Sequence, residues 1–315
     1  MALWLTIAQT AGYALVAPLF DGLLEWFKAR LSGRRGSDPL QRYRDLIKLL
    51  RRRPSVPASA SGVFQMAPSV VFTCFLLLGF ALPTVFLPAR PGIDLLFVVA
   101  VLGLAKFATG LAAFDAGAPF GPLSSGRQWF VHILAEPAFL IAIYVYAMSR
   151  LTTNLPAPAR IGLTTESLVD DAAIPLVIGA LAYVLLGEAG RLPFDNPDTN
   201  LELTMIERGT HLEYSGRLLA LVTWADAMKL TFGISLVALL AWPWGIAVSA
   251  APVPLLVATV VYLAKVCALL LGLAVWEVSR GKVRLRALYT RLMLAAGVLL
   301  FVVISLVVSR IPPGA

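Results

Sequence analysis

The residues whose types and spacing suit chemistry are gathered in one stretch, 187–217. It holds six carboxylates, Glu188, Asp195, Asp198, Glu202, Glu207 and Glu213, interleaved with Arg191, Arg208, His211 and Arg217. Crowded carboxylates oppose one another's ionisation and burial adds to the effect, so some of them are expected to hold protons near neutral pH and to relay them. Asn196-Pro197 reads as a helix start, an Asn cap with Pro at the first helical position, and Asp198 suits the positive end of that helix. Asp198 and Glu202 share one face, and Glu213 and Arg217 are spaced for an i,i+4 pair. The same acids in a solvated loop would relay nothing, and residue types alone leave that alternative open.

A second set of ionisable groups lies inside apolar runs: Asp21, Glu25, Lys106, Glu136, Asp226, Lys229, Lys265 and Glu277. A charge at the centre of a bilayer costs at least ~2.5–3.5 kcal/mol, so such residues face a protein interior and mark ion or proton paths. Asp226 and Lys229 are spaced to neutralise each other on one helix. Lys106 and Lys265 have no local partner and are expected on a path. Asp115 reads either as a cap or as a path entrance. Glu25 and Glu277 are near enough to span ends to be hydrated, and His132 is expected to be interfacial without a role. No catalytic residue is singled out. Cys74 and Cys267 lie in apolar runs and no Cys/His ligand spacing exists, so no metal site is expected from this chain.

The elements that must position these groups are membrane helices. The chain is 59% hydrophobic and only 14% charged, with a mean hydropathy of +0.81, against roughly 25% charged in soluble domains. About eight stretches reach the length a bilayer demands, near 3–27, 67–88, 93–114, 128–149, 171–187, 214–241, 253–277 and 287–309. The expected fold class is all-α, one polytopic membrane domain over 1–315. It has a first cytoplasmic loop at 28–66 and an acidic coupling loop at 187–217. The first run has no preceding basic residue and no evident cleavage site before the basic run, so it is expected to be a retained span. Lys and Arg split nineteen to four between alternate loops, placing the odd-numbered loops in the cytoplasm and both termini outside. The net charge of +8 is then a topology signal and does not imply a nucleic-acid partner. Gln41 to Arg53 sets Tyr43, Leu46, Ile47 and Leu50 at helical spacing among bases, the pattern of an amphipathic helix that meets either anionic lipid or a docked subunit. Pro54 to Pro68 reads as a linker.

Two blocks of the sequence are similar to a known family. Glu188-Ala-Gly-Arg191-Leu-Pro193-Phe194-Asp195, Pro197-Asp198, Leu201-Glu202-Leu203 and Glu213-Tyr214-Ser215-Gly216 form the first. Arg34-Arg35-Gly36 with Leu40-Gln41 and Tyr43-Arg44-Asp45-Leu46-Ile47-Lys48 forms the second. Together they resemble the subunit 1 family of respiratory complex I, which includes the membrane subunit of energy-converting group 4 nickel–iron hydrogenases. The wider spacing between Leu203 and Glu213, Asn200 in place of an acid, and Glu207 within Leu201 to Glu207 are similar to the hydrogenase branch, of formate hydrogenlyase subunit 4 type.

The resemblance implies a membrane anchor and proton-path subunit in a bacterial or archaeal cytoplasmic membrane. It would stand between a peripheral redox arm and antiporter-like membrane subunits. Iron–sulfur clusters and a nickel–iron centre would belong to the partner subunits, and a quinone would belong to the complex I branch. Glu188, Arg191, Asp195, Asp198, Glu202, Glu207 and Glu213 would be the coupling cluster, continued by Lys106, Asp115, Glu136, Asp226, Lys229 and Lys265. Arg34, Arg35, Tyr43, Arg44, Asp45 and Lys48 would lie on the docking face. On residues alone the rival readings are a quinone-chamber subunit, a free-standing secondary transporter, which would show inverted repeats, and a purely structural anchor.

Overall fold

A backbone in hydrocarbon has no water to bond to, so apolar runs of this length satisfy their own N–H and C=O groups as helices. The computed structural model describes residues 2–87, 93–150, 173–195 and 205–310. Among these the helices are α1 (Ala2–Leu31), α2 (Gln41–Leu50), α3 (Gly62–Ala81), α4 (Leu95–Asp115), α5 (Phe120–Arg150), α6 (Ala173–Glu188), α7 (Gly216–Ala241), α8 (Pro252–Ser279) and α9 (Leu285–Arg310). A short 3-10 turn, Arg208–His211, precedes α7. Seven of the helices are long and apolar enough to cross a bilayer. The expected fifth span corresponds to α6, whose 16 residues make a shorter apolar helix.

The bundle is arranged around α7, which packs against α1, α3, α6 and α8 and is covered at one end by α2. Of its most apolar window 72% is buried inside the protein, against 17% for α8, so α7 is the core helix and α8 the rim. Pro18 removes an N–H from α1, and the carbonyl one turn back, on Ala14, accepts instead from the Trp224 indole of α7 at 2.7 Å. The chain after α1 folds back over it at Gly22, where a Cβ would collide with the Pro39 carbonyl. That return lays α2 beside α1 and α7. Of the expected apolar stripe on α2 only Leu46 is buried; Ile47 and Leu50 stay exposed.

Several boundaries differ from the sequence expectation. The linker ends at Ser61, and α3 takes in Pro68. Ser61 Oγ accepts from Val63 N at 3.2 Å, and the Asp115 carboxylate accepts from Ser61 N at 2.8 Å and Phe64 N at 3.0 Å. Two caps satisfy N–H groups that a helix start leaves open. Pro83 then stops α3 well before 88. By contrast α5 begins at Phe120, ahead of the expected 128, and its first turns carry Ser124, Ser125 and Gln128, polar residues that are nonetheless buried. Hydropathy alone passes over them.

Candidate functional site

The end of α6 is where the site is built. Gly190, with φ of 59°, ends the helix, and Arg191 N closes the turn onto Leu186 O at 2.9 Å. Glu188 and Arg191 therefore leave in different directions. A Cβ on Gly190 would strike the Glu207 carboxylate, so glycine here lets Glu207 pass close to the helix end. Asp195 fastens the loop. Its Oδ2 accepts from Ile206 N at 3.0 Å and Glu207 N at 2.9 Å, while Lys282 Nζ donates to Oδ1 at 2.6 Å. Asp195 is 2% exposed, which makes this a buried clasp.

Glu207 is one hub. Its Oε1 receives Lys106 Nζ of α4 at 3.2 Å, Gln128 Nε2 of α5 at 3.4 Å and Lys229 Nζ of α7. Burial alone would raise the Glu207 pKa, but the two ammonium groups outweigh it and hold the carboxyl well below the usual range. Lys229 also reaches Asp226 Oδ1 at 3.3 Å, and Asp226 Oδ2 is 3.4 Å from His211 Nδ1. Burial keeps His211 below its ordinary pKa despite the Asp226 and Glu207 carboxylates, so its imidazole is neutral at neutral pH. On the other side Lys106 donates to the Glu188 carbonyl at 2.7 Å and lies 3.9 Å from Glu188 Oε2. Glu188 Oε1 is 2.8 Å from His132 Nδ1, and His132 Nε2 is 3.7 Å from Glu136. The series Asp226, Lys229, Glu207, Lys106, Glu188, His132, Glu136 thus crosses the protein from α7 to the outer face of α5. There Glu136 is 40% exposed beside Ile133, Leu140 and Tyr144.

Arg191 is the other hub. It pairs with Asp21 at 2.6 Å and Glu25 at 3.6 Å, both on α1, and with Glu277 of α8 at 3.9 Å. Arg42 is 2.9 Å from Asp21, and Lys28 lies 3.2 Å from Glu25 and 3.1 Å from Glu277. Burial opposes the Arg191 charge, yet Asp21, Glu277 and Glu25 together raise its pKa further. Between the hubs lies a cavity of ≈420 Å³, walled by Asp21, Arg191, Glu207, His211, Asp226 and Lys229 among others.

The geometry separates the remaining expected site residues from this cluster. Asp115 caps α3. Lys265 donates to the Trp242 carbonyl at 2.6 Å and to that of Trp244, and lies 4.3 Å over the Trp244 ring. The expected Glu213–Arg217 pair is not seen among the described residues. Gly216, at φ of 51°, starts α7 between the two, so Glu213 is not on the helix and i,i+4 spacing does not apply. Asp198, Glu202 and the expected helix start at Asn196-Pro197 lie outside the described residues. On the loop before α3, Arg34, Arg35, Arg44, Asp45 and Lys48 are exposed, with Arg44 at 2.8 Å from Asp38. Tyr43 donates to the Leu15 carbonyl at 2.6 Å.

Glu25 and Glu277, expected to be hydrated, are instead paired inside the Arg191 hub, with Glu277 buried, and sequence reasoning missed five further contributors. His132 looked interfacial, Arg42, Lys28 and Lys282 counted only as topology charges, and Gln128 carried no charge to notice. His132 and Glu136 are four apart on α5, and that spacing was the one available signal.

Comparison with known proteins agrees with this architecture. A family model described as NADH dehydrogenase matches residues 5–309. Formate hydrogenlyase subunit 4 of Escherichia coli is 32% identical over 274 residues, covering 86% of this chain and 87% of the relative. Hydrogenase-4 component C of the same organism is 30% identical over 283 residues, covering 88% and 87%. A subunit of the NADH-quinone oxidoreductase of Rickettsia bellii is 27% identical over 188 residues, covering 58% and 53%. Among solved structures, a chain of the archaeal membrane-bound sulfane sulfur reductase, a respiratory membrane complex, superposes with a TM-score of 0.82 at 16% identity, covering 96% of this chain and 99% of that one.

Proposed function

The chain belongs to the NADH dehydrogenase family, and from that premise we propose that it is the membrane anchor and proton-path subunit of a complex-I-like, ion-translocating oxidoreductase of the group 4 hydrogenase type. The observation that carries this reading is Glu207, a buried carboxylate held between Lys106 and Lys229 at the edge of a polar cavity. Lys229 has two acceptors, Glu207 and Asp226. When it moves to Asp226, one of the two charges that keep Glu207 ionised is withdrawn. The carboxyl pKa rises, and Glu207 takes a proton from the cavity. Electron arrival in a docked arm adds negative charge nearby and favours that state. Return of Lys229 expels the proton: Lys106 passes one of its own protons to the Glu188 carboxylate and takes the Glu207 proton in its place, and Glu188 hands on toward His132 and Glu136.

Glu136 supports a membrane partner at the outer face of α5. A carboxylate midway along a spanning helix is costly to leave in lipid, and a neighbouring antiporter-like subunit would cover it and continue the path. The loop with Arg35, Arg44 and Lys48 is the docking face for the peripheral subunits. Those subunits would carry the iron–sulfur clusters and the nickel–iron centre. The nineteen-to-four distribution of bases supports a topology with this loop and the acidic connector in the cytoplasm and both termini outside.

The cavity walls do not suit a quinone. Asp21, Arg42, Arg191, Glu207, Asp226 and Lys229 would all lose hydration to an isoprenoid tail. The test is Glu207→Gln in the purified complex reconstituted in vesicles. Electron transfer continues and proton translocation is lost; full coupling in that variant would refute the assignment.

A further inference from the structure

A second space takes no part in the relay. An apolar crevice of ≈330 Å³ lies between α6, α7 and α8. Each helix contributes one glycine to it, Gly179, Gly233 and Gly272, and a Cβ on any of them would meet nothing within 4 Å. Glycines in membrane helices ordinarily serve close backbone approach, whereas these three border open space. Both α6 and α8 lean on α7 without packing closely on each other, so the crevice is open at the side. An unfilled gap of this kind forfeits the dispersion contacts of everything that lines it.

At one end of the crevice stands Trp276. Its indole N–H is donated to Leu192 O at 3.2 Å, and the Arg280 guanidinium lies 4.1 Å from its ring centroid. Arg280 and Leu192 also line a second cleft, of ≈370 Å³, together with Arg34 and Ser32. The two acids of that cleft, Glu25 and Glu277, are already matched by Lys28 and Arg191. Arg34 and Arg280 are exposed, and among the described residues neither is held in an ion pair. Trp276, close to where α8 ends at Ser279, thus lines the apolar crevice and touches Leu192 and Arg280 of the basic cleft, which makes the two spaces neighbours.

We propose that these neighbouring spaces together bind an anionic phospholipid, with one acyl chain in the crevice and the phosphate between Arg34 and Arg280. Guanidinium groups match phosphate oxygens in a fork geometry. Tryptophan favours the interfacial depth that such a lipid spans, and basic clefts between helices on the cytoplasmic side take acidic headgroups. A prenyl chain would fill the crevice equally well, but its uncharged head would leave both guanidinium groups unmatched.

Native mass spectrometry of the intact purified complex tests this after detergent stripping, with phosphatidylglycerol and phosphatidylcholine added back separately. The wild-type complex retains phosphatidylglycerol in preference by on the order of tenfold. The double variant Arg34→Gln, Arg280→Gln brings the two lipids to near parity, and Gly272→Leu, which fills the crevice, lowers retention of both. Equal retention of the two lipids by wild type, or an unchanged preference in the double variant, overturns the proposal. So does a quinone that displaces phosphatidylglycerol one for one.

Discussion

Glu207 and Arg191 face each other across one cavity as mirror images. Glu207 is an anion among the cations Lys106 and Lys229, and Arg191 is a cation among the anions Asp21, Glu25 and Glu277. Their surroundings differ in one respect that matters. Around Arg191 every acid has another base, Arg42 for Asp21 and Lys28 for both glutamates, so the charges are cross-braced and tie α1 to α8. Around Glu207 each lysine likewise has a second acid, but the network runs outward instead of closing on itself as it does where Lys28 joins Glu25 to Glu277. Lys229 has a choice of acceptor and Lys106 leads onward to Glu188, so charge can be redistributed without leaving a group stranded. Similar numbers of buried ions thus make a brace in one place and a switch in the other.

The comparison breaks most visibly if the brace is removed. Arg191→Ala leaves three buried or half-buried acids sharing Arg42 and Lys28, at a cost of about 3–5 kcal/mol. Loss of the assembled complex is expected on size-exclusion chromatography, with partial recovery in Arg191→Lys. An intact, fully stable complex would mean the hub is no brace. Next in size is Gly190→Ala. Its methyl would displace the Glu207 carboxylate from between the lysines and force an unfavourable φ, costing about 1–3 kcal/mol. Proton translocation should fall far more than assembly, measured as the ratio of protons moved to electrons transferred. Equal loss of both would erase the distinction between switch and brace.

The smallest effect concerns pH. His211 has a folded pKa below its ordinary value of 6.5, so the unfolded chain takes up the proton first as pH falls. Stability is fully present above about 6.5 and declines below it. A thermal-shift series from pH 7.5 downward should show that decline in wild type and a shallower one in His211→Gln. An unchanged slope would remove His211 from the buried network.

Sequence made the helices legible because bilayer length and hydropathy leave few options, and it made Asp226 with Lys229 legible because their spacing is local. The long-range pairings were another matter. Lys106 and Lys265 look alike in sequence, both mid-helix and without a neighbour of opposite charge. The fold brings Lys106 to partners 82 and 101 residues away, whereas Lys265 meets the carbonyls that follow the end of α7. No periodicity encodes that difference. Glu213 misled for a related reason, since i,i+4 logic presumes a helix and Gly216 starts one between the partners. Lys282 and Arg42 were hidden in loops whose bases already had an explanation in topology.

Redox-induced infrared difference spectroscopy on the reconstituted complex tests the central claim most directly, because it reads carboxyl protonation as the docked arm is reduced. The account predicts a carboxyl band that appears on reduction in wild type and is absent in Glu207→Gln. Identical difference spectra from the two proteins would contradict it.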